Sequence, residues 1–294
     1  MEETTTAIQE IFSGAITAQK VERLEMMCLQ QEQVDCPVIH RFGPGVYIRE
    51  VMIPAGTFSI GHYQKKEHLN IMLKGRVTML HEDGTLHEVI APTIFTAPPG
   101  RKIGYIHEDM VWLNVYPTTE TEVEKLEAMF LDKSEGWTQN NQMQNGIAKL
   151  HCVADREDYK KVLAEFGFTE EAARAMSANE DDQISFPYGG WKVRVDVSPI
   201  EGRGLFATAD IEEGELIAPA RIKGMRTPAG RFTNHSLNSN AIMIMQPNGD
   251  IDLVATRTIK GNAGGYNGEE ITIDYRDSLA LSLSSRTGGK LCQV

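Results

Sequence analysis

Cysteine is scarce in this 294-residue chain and is scattered where it occurs. The four cysteines, Cys28, Cys36, Cys152 and Cys292, form no CxxC pair and no dense framework. This pattern argues against disulfides and against a cysteine zinc site, and it predicts a reducing compartment. No apolar run approaches the length of a bilayer-spanning helix, so we expect no membrane partner.

Basic residues are fewer than acidic ones, 29 against 41, which gives a net charge of −12. Residues 189–294 carry 12 of each sign, so the whole surplus lies in the first 188 residues. An acidic half repels phosphate backbones, and no basic stripe is present, which argues against nucleic acid as a partner. The first ten residues, MEETTTAIQE, lack the basic and apolar regions of a signal peptide, so we expect a cytoplasmic protein.

Helical and β-rich patterns alternate along the chain. Ala18 to Gln33 has helical spacing of its apolar residues, whereas Val38 to Pro117 consists of short β-rich runs broken by FGPG, PAG, EDG and PPG turns. Glu120 to Asp182 is helical again and includes two helices joined at Gly167, with Thr169 as the N-cap of the second. Strands resume in WKVRVDV, and no internal repeat is visible.

Three short motifs follow in order in the last third of the chain. They are SPIEGRGLFATAD, RFTNHSLNSNA and GEEITIDY. Taken singly, each has an ordinary interpretation: a hairpin turn at Gly202 and Gly204, a capped turn at Asn234, and a solvated turn followed by a half-buried sheet tyrosine, Tyr275. Their order and spacing over about 85 residues favour a shared functional role over three unrelated turns.

This order resembles the SET family, whose members transfer a methyl group from S-adenosylmethionine to protein lysine. The resemblance implies a SET β-fold in which the chain end threads beneath a loop near the Asn-His pair. It implies Tyr275 as the catalytic residue beside the methyl group. It also implies cofactor contacts from Gly202, Arg203, Gly204, Leu205, Phe206, Asn234 and His235. Methyl transfer is an in-line displacement that needs orientation and a neutral lysine, with no acid–base pair and no metal.

The chain departs from the family pattern on the substrate side. Leu237 and Ser239 replace the usual cysteine and proline, and only a short loop separates Leu216 from Arg231. The insertion KGNAGGYN enlarges the loop before Glu269. The tail after Tyr275 has one cysteine and no aromatic residue, so it lacks the family's zinc cluster and closing aromatic. We expect another subunit or the N-terminal half to supply the missing wall.

The segment GTFSIGHYQKKEHLNIMLKGRVTM resembles the first motif of the cupin family, a double-stranded β-helix barrel. That family binds metal through histidines and a glutamate, but here His62 is followed by Gln64 and His68. The second motif places its expected histidine near Ile103, and His107 follows in what we predict to be a turn. We therefore expect no metal and a scaffold or dimerisation role.

We therefore predict an α+β protein, mainly β. Its segments are an N-terminal helical segment (residues 1–36), a cupin-like β-barrel (37–119), a helical linker (120–188), a SET domain (189–277) and a tail (278–294). The combination resembles phage-encoded proteins.

Three functions stay open: a protein-lysine methyltransferase in a bacterial cytoplasm, which we favour; a non-catalytic virion or assembly protein whose partners are phage virion proteins; and a cupin-type metalloenzyme. We expect a homo-oligomer formed through the N-terminal half.

Overall fold

Mixed α and β structure, mainly β, makes up the described part of the chain, as the sequence predicts. The structure is a computed structural model that describes residues 16–81, 83–262 and 264–286. The chain folds into two compact units. The first contains Met1–Gln144 and Asn262–Tyr266, and the second contains Asn145–Gly261 and Asn267–Val294. The central residues of the insertion before Glu269 therefore belong to the first unit.

The strands of the first unit belong mainly to one antiparallel sheet. They are β1 (Val38–Gly43), β2 (Val46–Ile53), β3 (Phe58–Ile60), β4 (Tyr63–Gln64), β5 (His68–Leu80), β6 (Leu86–Ile90), β7 (Thr93–Ala97), β8 (Ile103–Pro117) and β9 (Leu131–Asp132). Part of the sheet runs in the order β1-β2-β8-β5-β6, with β3 paired to β8 and β7 paired to β5. The short strands β4 and β9 pair with each other.

Side-chain alternation along β2 and β8 defines the inside of this sheet. Arg49, Val51 and Ile53 are two residues apart and therefore point to the same face. Their cross-strand partners in β8 are Asn114, Trp112 and Met110. All six residues line one cavity, so the period-two pattern of VYIREVMI places two apolar side chains and one guanidinium on its wall.

Three helices begin in the first unit: α1 (Ala18–Leu29), α2 (Val123–Phe130) and α3 (Glu135–His151). The Thr17 hydroxyl caps α1 by accepting a hydrogen bond from the Lys20 N–H at 3.3 Å. Val21 and Leu24 bury the apolar face of α1, in one core cluster with residues of β5 and β8. The helix ends at Leu29, earlier than its predicted end at Gln33, because no apolar residue continues the buried face there.

The second unit contains helices α4 (Val153–Glu165), α5 (Glu170–Ala178), α6 (Pro228–Arg231) and α7 (Tyr275–Arg286). Its strands are β10 (Gly189–Trp191), β11 (Val193–Val197), β12 (Arg203–Ala207), β13 (Leu216–Ile222), β14 (Met225–Arg226), β15 (Asn234–His235), β16 (Ala241–Met245), β17 (Ile251–Ala255) and β18 (Glu270–Ile273). Two four-stranded sheets have the orders β11-β12-β18-β15 and β14-β13-β17-β16. One apolar cluster, which includes Val193, Leu205, Leu253 and Ile271, draws residues from both sheets.

The predicted helix pair around Gly167 is confirmed. Gly167 adopts a left-handed φ of 72° between α4 and α5, where a residue without a Cβ is favoured. The Thr169 hydroxyl accepts a hydrogen bond from the Ala172 N–H at 3.2 Å, as expected of an N-cap.

The end of the chain differs from prediction, since Tyr275 begins helix α7 instead of ending a strand. Cys292 lies outside the described residues. Among the residues that the structure describes, no helix is long and apolar enough to cross a membrane.

Candidate functional site

The three C-terminal motifs meet in one sheet of the second unit. Strand β15 carries the Asn-His pair and runs parallel to β18, with Asn234 opposite Thr272 and His235 opposite Ile273. On its other side β18 pairs with β12, which carries the GRG motif. Segments that are about 35 to 70 residues apart in sequence are therefore neighbours.

Gly204 is needed because a carboxylate occupies the space above it. A Cβ at this position would lie 2.2 Å from Glu270 Oε1 and 3.1 Å from Ser198 Cβ. Glu270 accepts hydrogen bonds from the Ser198 hydroxyl at 2.8 and 2.9 Å and from the Asn234 amide at 2.8 Å. Burial raises the pKa of Glu270. The ordinary interpretation of the GEE segment as a solvated turn therefore does not hold for Glu270.

Asn234 bonds to the described residues through its amide nitrogen. Besides Glu270, Nδ2 lies near the Ser198 hydroxyl (3.0 Å) and the carbonyl oxygens of Glu201 (3.2 Å) and Arg203 (3.1 Å). All these partners are acceptors, so the amide orientation follows from the network. The Oδ1 atom accepts no hydrogen bond from a described residue.

His235 is buried and hydrogen-bonded through both ring nitrogens. Nδ1 accepts the Tyr275 backbone N–H at 3.2 Å, so the proton of a neutral ring lies on Nε2, which donates to Asp158 at 3.0 Å. Asp158 also pairs with Arg276 at 2.7 Å. The Arg276 guanidinium, together with His235, lowers the pKa of Asp158 to about 2. Helix α4 is thereby attached to the Asn-His strand.

The ion pairs of Asp158 predict an acid-sensitive contribution to stability. The folded pKa of about 2 lies below the ordinary value of about 3.9, so the contribution is complete above about pH 4 and is lost as the pH falls toward 2. Replacing Asp158 with Asn should lower the free energy of unfolding at pH 6, and its difference from wild type should shrink by pH 2.5. Denaturant titrations at several pH values test this.

The matched control for that experiment is Asp277→Asn, at an exposed carboxylate in the first turn of α7. It should change stability little at either pH. An Asp158→Asn difference that does not vary with pH would contradict the assignment.

Tyr275 lies at the start of α7 with its hydroxyl directed into the protein. The hydroxyl donates a hydrogen bond to the Thr233 carbonyl oxygen at 3.0 Å, and the ring contacts Tyr159 edge-on at 5.9 Å between centroids. Burial raises the pKa of the phenol well above its usual range, which keeps it neutral. A neutral phenol with one acceptor lone pair left can still orient an amine.

Of the remaining predicted contact residues, three pack against other residues of the protein and one has open space beside it. Leu205 and Phe206 are buried, and Leu205 belongs to the core of the second unit. The Arg203 guanidinium stacks over the Phe232 ring at 4.5 Å. Gly202 is different, because its φ is 54° and no atom lies within 4 Å of the position that a Cβ would occupy. The open backbone of Gly202 can therefore be approached by a ligand.

The residues present fit S-adenosylmethionine in part. Gly202 offers open backbone and Asn234 offers an unused amide oxygen, which suits a ligand with amino groups such as this cofactor. The space above Gly204, by contrast, holds the Glu270 side chain. A cofactor would be held by Gly202 and Asn234, with His235 and Glu270 as supports.

A second candidate site is a cavity of about 400 Å³ in the first unit. Apolar side chains of β2, β5 and β8 form part of its wall, and the polar lining includes Arg49, His62, Gln64, Lys102 and Asn114. Burial, followed by the positive charge of Arg49, lowers the pKa of Lys102 to about 8. The volume is in the range of small-molecule sites.

His68 and Gln64, which occupy two of the expected cupin metal positions, are hydrogen-bonded within the protein. His68 Nε2 lies 2.8 Å from Lys102 Nζ, and its Nδ1 lies 2.9 Å from the Lys66 carbonyl oxygen. The Gln64 side-chain oxygen accepts a hydrogen bond from Tyr116 at 2.5 Å. Because a lysine cation opposes a divalent ion here, these residues do not fit a metal.

Burial and the Lys133 charge lower the pKa of His62 to about 3. In the described residues no group of three or more His, Cys, Asp or Glu side chains could hold a metal ion. His107 lies within β8, with Nε2 2.7 Å from the Thr78 hydroxyl, so its predicted turn is wrong. The strand continues through His107 because β5 pairs with β8 on both sides of it, with a register shift at this position.

Sequence reasoning missed four residues of these two sites: Arg49, Lys102, Asp158 and Glu270. The signal for Arg49 was present, since it alternates with Val51 and Ile53 in an otherwise apolar strand pattern. Asp158 lies on a helix surrounded by other charged residues, where nothing local distinguishes it from a solvated carboxylate.

No protein-family model matches the chain, and no curated protein matches it. Solved structures do. A cupin family protein with a double-stranded β-helix fold from Methanocaldococcus jannaschii is 20% identical, with a TM-score of 0.25 over 33% of this chain and 91% of that one. A cupin domain from Bordetella pertussis is 14% identical, with a TM-score of 0.25 over 30% and 98%. An acetylacetone dioxygenase from Acinetobacter johnsonii is 11% identical, with a TM-score of 0.25 over 29% and 62%. The SET fold and the phage origin are not tested by these similarities and stay predictions.

Proposed function

We propose that the second unit is an S-adenosylmethionine-dependent protein-lysine N-methyltransferase. One observation carries the proposal: the parallel pairing of β15 with β18 joins the NHS and EITIDY motifs beside the GRG strand. Sheet pairing between segments so far apart in sequence costs loop-closure entropy, so their convergence supports a shared role.

The protein's own residues would bind and orient in this reaction. S-adenosylmethionine, when bound, supplies a methyl group already activated by a positive sulfur. Gly202 and Asn234 would hold the cofactor, and the neutral phenol of Tyr275 would orient the attacking amine. His235 would keep the start of α7 in place through its bond to the Tyr275 backbone N–H.

Calorimetric titration with S-adenosylmethionine is the first test of this proposal. We expect saturable binding, with no heat from adenine alone at the same concentration. Gly202→Val should weaken binding at least tenfold, because a branched side chain would fill the open approach to the backbone. Gly249→Val is the matched control, at another open glycine with a positive φ. Absence of binding at millimolar cofactor would contradict the proposal.

A second candidate function is a non-catalytic binding module, which includes the virion or assembly role. It is favoured because the side chains of the motifs already form hydrogen bonds within the protein, as His235, Tyr275 and Glu270 do. Such a module would transfer no methyl group, whether or not it binds S-adenosylmethionine. We propose the bacterial host cytoplasm as the location in either case.

We also propose a homo-oligomer formed through the N-terminal half. Ile94 in β7 is 66% exposed and lies opposite Ile71 in β5, while Leu73, two residues further along β5, is 54% exposed. Adjacent apolar side chains on the outer face of a sheet are typical of an interaction surface. A second copy of the chain would cover this face.

Replacing Ile94 with Asp should convert the oligomer to a monomer, because one buried carboxylate at each contact costs several kcal/mol. Light scattering of the full chain measures the mass. Met176→Asp, at an exposed apolar residue of α5, is the control and should leave the mass unchanged. A wild-type protein of monomer mass would contradict the proposal.

A further inference from the structure

The cavity of the first unit contains two cationic side chains that no described carboxylate neutralises. Arg49 points into it from β2, and its buried Nε has no hydrogen-bond partner among the described residues. No carboxylate of those residues forms an ion pair with it. Within the described part of the chain, Lys102 donates only to the neutral His68 ring at 2.8 Å and lies 5.9 Å from the centre of the Trp112 ring.

The acidic residues that line the cavity do not offset these charges. Glu25 forms a two-point ion pair with Arg101 at 3.0 and 3.2 Å, so its charge is already matched. Glu32 is exposed to solvent. Two cations in a largely apolar cavity cost stability unless an anion accompanies them.

We propose that this cavity binds a small organic carboxylate with an apolar body, held by Arg49 and Lys102. A carboxylate matches the planar donor set of a guanidinium and can receive a second hydrogen bond from an ammonium. The Asn114 amide, opposite Arg49 across β2 and β8, adds a further polar group. The apolar body would lie against Val51, Ile53 and Ile106.

The same arrangement leaves no place for a metal ion beside His68 among the described residues. Where the cupin resemblance leads one to expect a metal cation beside His68, this chain has the Lys102 ammonium. A covalently attached cation provides the positive charge that an anionic ligand needs without any metal.

Calorimetric titration of the full chain with sodium benzoate and sodium hexanoate tests the proposal. Benzyl alcohol and hexanol are the neutral probes of matched shape, and sodium sulfate is the anion without an apolar body. We expect at least one carboxylate to bind, and its alcohol and sulfate to bind at least tenfold more weakly. If neither carboxylate binds, or if acid and alcohol bind equally, the proposal is wrong.

Variants separate a ligand-binding role from a structural one. Arg49→Met and Lys102→Met should each weaken carboxylate binding at least tenfold while the melting temperature stays the same or rises, because an unneutralised buried charge is removed. Lys74→Met, at a 66% exposed side chain, is the control and should bind as wild type does. A lowered melting temperature with unchanged affinity in both cavity variants would make the two cations structural and overturn the proposal.

Discussion

Replacing Tyr275 with Phe is expected to slow methyl transfer by roughly a hundredfold. The change removes one hydroxyl and almost no volume. A polar contact that acts in the transition state is worth about 3 kcal/mol, which corresponds to that factor in rate. The hydroxyl also bonds the Thr233 carbonyl oxygen, so we expect the stability to fall by about 1 kcal/mol. The assay follows transfer of tritiated methyl from S-adenosylmethionine into bacterial lysate proteins.

A control variant and a measurement of cofactor affinity show whether the loss of rate is due to the Tyr275 hydroxyl. Tyr159→Phe alters the neighbouring tyrosine of α4 and should leave the rate near that of wild type. Cofactor affinity of the Tyr275 variant should be unchanged, since the phenol acts on the amine. Full activity in Tyr275→Phe would remove this residue from the reaction. No transfer by wild-type protein with bound cofactor would favour the non-catalytic module.

Replacing Gly204 with Ala is expected to destabilise the second unit by about 1–3 kcal/mol, the usual cost of overpacking. The added methyl would overlap the Glu270 carboxylate at 2.2 Å. Moving that carboxylate would disturb its hydrogen bonds from Ser198 and Asn234. Calorimetric melting should show the loss, at roughly 2–4 °C per kcal/mol.

Gly146→Ala is the control for that substitution, at an exposed glycine of α3 with open space around it. It should raise stability slightly, since alanine favours helix. The double variant Gly204→Ala/Glu270→Ala should recover part of the loss by removing the overlapping carboxylate. A single Gly204→Ala variant as stable as wild type would show that Glu270 does not hold this position.

What the sequence predicted about the site came from the order of its three motifs. The GRG, NHS and EITIDY segments could be predicted to converge because their order resembles that of one family. The partners of those segments could not be predicted. Ser198 and Glu270 are 72 residues apart, and Asp158 and His235 are 77 residues apart. In the sequence, each carboxylate stands among solvated charges and has nothing local to mark it.

In the first unit, too, the sequence predicts local structure but not the contacts between distant residues. The pattern VYIREVMI predicts a strand, and β2 has those bounds. The decay of the metal motif at Gln64 was also visible in the sequence. The contact of Lys102 with His68 was not visible, because it forms across 34 residues.

By itself the sequence determined the local elements of this protein: the β-rich runs and their turns, the Thr169 cap, and the acidic surplus of the first 188 residues. These features follow from side-chain alternation, capping and backbone freedom within a few residues. Only the tertiary structure decided which charges are buried and what they face. Desolvation and hydrogen bonding depend on groups brought together from distant segments, and a carboxylate or an ammonium acquires its role only there.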